Sequence, residues 1–67
     1  MGMDVIIEYG LPYGSDVRVV VYNLLGQEVR LLVNDKKKAG THMVIWDGRD
    51  NAGEKASSGI YFLRFEA

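Results

Sequence analysis

Apolar and polar residues alternate along this chain in short runs, and each run ends in residues that favour turns. The strongest run is Val17-Arg18-Val19-Val20-Val21-Tyr22, whose β-branched side chains suit a pleated strand. Glu28 to Val33 alternates after it, and Asn23-Leu24-Leu25-Gly26-Gln27 between them reads as a turn, Gly26 being suited to a positive φ. An earlier run, Asp4 to Tyr9, ends at Gly10-Leu11-Pro12-Tyr13-Gly14-Ser15, turn chemistry that contains the only proline. A polar loop from Asn34 to Gly40 then leads to a fourth strand, Thr41 to Trp46, and Ile60 to Glu66 reads as the last.

No window between these breaks sustains a 3.6-residue period, so the pattern predicts about five strands and no helix longer than a turn. Trp46, the segment Asp47-Gly48-Arg49-Asp50-Asn51-Ala52-Gly53 and the run Ser58 to Phe62 together read as a compact hairpin-like unit. The expected class is all-β, a small antiparallel β-sandwich.

Side chains alternate across a strand, so the charged positions mark the outer faces. Ile7, Tyr9, Val17, Val19, Val21, Val29, Leu31, Val33, Val44, Trp46, Tyr61, Leu63 and Phe65 are then expected to face inward. Asp4, Glu8, Arg18, Glu28, Arg30, Thr41, Arg64 and Glu66 face water. Ile6, Val20, Leu32, Met43, Ile45, Ile60 and Phe62 share those outer faces. As a cluster they would expose more apolar surface than a lone domain carries, which marks an interaction face for another domain or another copy.

Length limits the core. A 67-residue chain is one domain, residues 4–67 here, and buries only about 60% of its unfolded surface. Residues 1–3, with a Gly between two methionines, read as an appended start. The absence of cysteine removes disulfides and thiol chemistry. A formal net charge of -1 with both signs interspersed gives no footprint for nucleic acid, and no apolar run is long enough to span a membrane.

A family pattern emerges from Ile7-x-Tyr9-x-Leu11-Pro12, Val19-x-Val21-Tyr22-Asn23-x-x-Gly26-x-x-Val29, Gly40-Thr41-His42-x-x-x-Trp46-Asp47-Gly48-Arg49-Asp50-x-x-Gly53 and Ser58-Gly59-Ile60-Tyr61-Phe62-x-Arg64. It resembles the Ig-like domain of the flagellar hook-capping protein and, equally, the related C-terminal sorting domains of proteins exported by the type IX secretion system. The resemblance implies an Ig-like, fibronectin III-like sandwich with Tyr9, Tyr22, Gly26, Trp46, Asp47, Gly48, Gly53, Gly59 and Tyr61 as its fold signature. It implies a non-catalytic C-terminal module of a secreted or surface-attached bacterial protein, acting in outer-membrane export and attachment with the secretion machinery or a parent domain as partner. The alternative it carries is a structural assembly and oligomerisation domain, as in the hook cap. Sorting domains continue into a further strand beyond the position of Ala67, and without that strand a sheet edge stays open to edge-to-edge pairing or strand exchange.

Candidate chemistry is sparse. Asp47, Asp50, Asn51 and Glu54 gather oxygens in one Gly-bearing loop, the donor set of a Ca²⁺ site, but without EF-hand spacing; Asx-turn roles suit them better. His42, the only histidine, is expected to pack against the core with a hydrogen bond, and one His with no nucleophile or carboxylate pair builds no catalytic centre. Lys36, Lys37 and Lys38 read as a solvated loop tip. Tyr13, Tyr22 and Phe62 are the aromatics available to stack a sugar, which leaves a carbohydrate-binding module as a second alternative. No glycine-rich phosphate loop precedes a helix, and no cofactor is implied.

Overall fold

The computed structural model describes residues 4–67; the reading of residues 1–3 as an appended start lies outside the described residues. Five strands follow one another: β1 (Val5–Leu11), β2 (Ser15–Tyr22), β3 (Glu28–Lys37), β4 (Gly40–Trp46) and β5 (Phe62–Glu66). The described residues contain no helix. β1 and β4 form a two-stranded antiparallel sheet, and β3-β2-β5 form a three-stranded one. The all-β sandwich expected from the alternating runs is the fold observed.

Several boundaries move. β1 runs on through Gly10 to Leu11, which is buried, so the first two residues assigned to the turn are strand. β3 continues to Lys37, pairing Lys36 with Asp16 and Lys37 with Ser15, so most of the expected polar loop is ladder. Alternation fails to reveal this because a solvated strand edge has the same polar composition as a loop. The hairpin-like unit around Trp46 is also corrected. β4 and β5 belong to different sheets, and the segment between them crosses from one layer to the other.

The β2–β3 connection matches its expectation. Asn23 Oδ1 accepts from the backbone N–H of Leu25 and Gln27 at 3.0 Å each, and Gly26 takes φ 77°. An Asn side chain that closes on its own backbone fixes this turn without burial.

The core lies where β2 passes under the other sheet. Leu11, Val17 and Val19 are buried together, with Tyr9, Leu32 and Val33 packed against them. Tyr9 bridges the layers, its ring 5.4 Å from His42 and 5.0 Å from Phe65. Trp46 closes the other end, edge-on to Tyr61 at 5.3 Å.

The face assignment is wrong at three positions on this sheet, Arg30, Leu31 and Leu32. β3 carries an extra residue at Leu32 and another at Val29, so its register shifts twice against β2. Each such bulge flips the faces beyond it. Leu32 therefore joins the core, Leu31 sits opposite Val20 on the outer face, and Arg30, opposite Val21, shares the inner one.

Val20 is a correction of another kind: it faces outward as expected, yet it is 0% exposed. Arg18 explains it. Its guanidinium reaches Glu28 at 3.5 Å, and Glu28 lies opposite Tyr22, two side chains further along the same face. The aliphatic stem of Arg18 must therefore cross Val20, covering it while the charged head stays wet. Beside the Tyr22 hydroxyl and Glu66, that guanidinium is pushed above its ordinary pKa.

Candidate functional site

In the segment after β4, the side chains of Asp47, Arg49, Asp50 and Asn51 are all engaged in building the loop. Trp46 Nε1 donates to the Arg49 carbonyl at 3.0 Å, which pins the loop to the core aromatic. Asp47 Oδ1 accepts from the Arg49 backbone N–H at 3.0 Å and from Arg30 at 3.1 Å. Asp50 Oδ1 accepts from the N–H groups of Ala52 and Glu54, both at 2.9 Å, and Arg49 pairs with Lys55 as an isolated β-bridge. Gly48 and Gly53 take φ 80° and 84°, so the two reversals of this loop require them. Gly59, expected alongside them, has no positive φ and carries no such requirement.

Asn51 ties this loop to β3. Its backbone N–H donates to the Val29 carbonyl, its Oδ1 accepts from the Leu31 N–H, and its Nδ2 donates to Glu28, each at 2.9 Å. Backbone groups on the edge of β3, beside the bulged Val29, thus find partners outside the sheet. Asn51→Ala removes both side-chain bonds at once and should cost about 1 to 2 kcal/mol. Urea denaturation of that variant checks the value, and an unchanged midpoint would refute the anchoring role.

Asp47, Asp50, Asn51 and Glu54, the oxygens considered for calcium, all lie in or beside this loop without converging on one point. The loop turns those of Asp47, Asp50 and Asn51 onto backbone N–H groups and Arg30. Among the described residues no group of three or more His, Cys, Asp or Glu is placed to hold a metal ion. His42 is half-buried on the inner face, stacked on Tyr9, and its Nε2 donates to the Lys38 carbonyl at 2.7 Å. The proposed sugar platform does not assemble as one surface. Tyr22 and Phe62 are cross-strand partners, but Tyr13 precedes the opposite end of β2, nine residues of near-extended chain away, about 30 Å.

The residues expected to form one interaction face divide into two groups. Ile6 pairs with Ile45, and Met43 sits one step along opposite Glu8, so these three share the outer face of the β1–β4 sheet at 64%, 51% and 61% exposure. Ile60 and Phe62 are exposed on the other sheet's side, and Val20 is removed altogether by its burial. A groove of about 590 Å³ opens between the layers, lined by Val5, Ile7, Val21, Trp46, Tyr61 and Leu63 among others. Sequence reasoning did not find it. Its walls are inward-facing residues of β1 and β5 that the two-stranded sheet leaves half covered.

These features define a small antiparallel β-sandwich that leaves large apolar side chains exposed on both of its sheets. The chain belongs to the FlgD Ig-like domain family, whose description matches residues 2–67. Comparison with curated proteins and with solved structures gave no significant match.

Proposed function

We propose that this domain is a non-catalytic protein–protein assembly module of the hook-cap type, working in a secreted or surface-exposed part of its parent protein. Family membership favours assembly over the export reading drawn from the sorting domains, which gains no support, as does carbohydrate binding. The observation that carries the proposal is the cluster of Ile6, Met43 and Ile45, large apolar side chains adjacent on one sheet face and more than half exposed. Such a patch on so small a domain is stabilised by burial against a partner. The polar groups support the same reading, because the loop carboxylates and the single histidine are occupied in building the fold.

The double variant Ile6→Ser/Ile45→Ser, carried in the whole parent protein, tests this. It should leave the module folded, since both side chains are already largely exposed, and reduce incorporation into the assembled structure. Incorporation at the native level would overturn the proposal.

A further inference from the structure

Among the described residues β5 stands at the edge of its sheet, paired with β2 on one side only, and all five of its residues are exposed. An unpaired strand presents a row of backbone donors and acceptors that another strand can satisfy. The opposite edge of the same sheet is already engaged near Glu28 to Leu31 by Asn51. β5 is therefore the open side, and its sequence Phe62-Leu63-Arg64-Phe65-Glu66 is complementary to itself.

Two copies of β5 related by a two-fold axis perpendicular to the sheet must pair residues that face the same way. Three such registers pair at least three positions of β5 with β5. Centring on Arg64 sets Arg64 against Arg64, which like-charge repulsion disfavours. Centring on Leu63 matches no opposite charges and sets Glu66 against Ile60. Centring on Phe65 sets each Arg64 directly opposite the other copy's Glu66, giving two symmetric ion pairs on the outer face. On the inner face it brings Phe65 to Phe65, extending the Tyr9–Phe65 contact already present at 5.0 Å. Glu66 already meets Arg64 of its own strand at 3.5 Å and Arg18 of β2 at 3.4 Å, all through exposed side chains, so the first contact exchanges for the cross-strand pair while Arg18 stays on the other oxygen.

We infer that β5 pairs antiparallel with β5 of a second copy of this chain, centred on Phe65, with each Arg64 facing the partner's Glu66, to form a continuous six-stranded sheet. The inference deepens the assembly reading by naming a second copy as partner, and it uses an edge distinct from the Ile6/Met43/Ile45 face.

Sedimentation equilibrium of the 67-residue chain and four variants tests it. The native chain should dimerise, and Arg64→Glu or Glu66→Arg alone should weaken the dimer roughly tenfold or more, as two ion pairs become two repulsions. An equimolar mixture of those two single variants should form a heterodimer, and the chain carrying both changes should regain the native affinity. Thermal melts check that each remains folded; Glu66→Arg also loses the Arg18 contact and should melt lower, so Arg64→Glu, which leaves that contact in place, carries the comparison. Ile6→Ser/Ile45→Ser should dimerise like the native chain, so a failure of that face in the parent protein is distinguishable from a failure at β5. A monomer at every concentration would overturn the inference. So would a dimer that the charge variants leave unchanged, which would place the contact in the Leu63-centred register or on another surface.

Discussion

Trp46→Ala is expected to leave the domain largely unfolded at ambient temperature. Truncating a core tryptophan costs about 3 to 5 kcal/mol. A chain of 67 residues has in total roughly 3 to 10 kcal/mol of stability on the usual per-residue scale, so one substitution removes most of it. Trp46 is singled out because it acts in two layers at once. Its ring packs edge-on against Tyr61, and its indole N–H holds the Arg49 carbonyl around which the next loop is built. Trp46→Phe separates these roles. It retains apolar volume and loses the hydrogen bond, but Arg30 also donates to that carbonyl at 3.1 Å, so the cost should fall to about 1 kcal/mol. Circular dichroism under urea is the appropriate readout, because the only tryptophan is the residue being changed. Equal midpoints for Trp46→Ala and the native chain would contradict the packing described.

Val20→Ala should cost about 2 kcal/mol, comparable with Val19→Ala, because both side chains are completely covered. Ile45→Ala, on the outer face of the other sheet, should stay within about 0.5 kcal/mol. The contrast is specific, since all the apolar outward positions look alike in the sequence. Arg18→Ala should also lower the melting temperature, and by more than Glu28→Gln or Glu66→Gln, because it uncovers Val20 as well as removing an ion pair. Chemical denaturation of this set decides the matter. If Val20→Ala proves as harmless as Ile45→Ala, the Arg18 stem does not shield it.

The strands themselves were legible because alternation over five to eight residues, broken by Gly, Asn and Pro, has no other physical solution in so short a chain. The turn at Asn23 to Gln27 was legible for the same local reason, since its hydrogen bonds lie within the turn. What the pattern concealed depends on distant partners. Nothing near Leu32 signals that a bulge carries it inward, and nothing near Val20 signals that a stem two residues away folds over it. The roles of the Asp47 to Gly53 segment were half visible. Asx-turn chemistry at Asp50 is local, but Asn51 meets Leu31 across twenty positions of sequence, a pairing that only the fold creates.

The stitching of Asn51 to β3 also decides how far association can proceed. A sheet open along both margins can add copies without end, whereas one blocked along a margin stops growing after a single addition. On β3 the block extends beyond Asn51, since Asp35, Lys36 and Lys37 place charge along the remaining length of that strand. The loop residue that secures the monomer thereby also limits the three-stranded sheet to growth along its β5 margin.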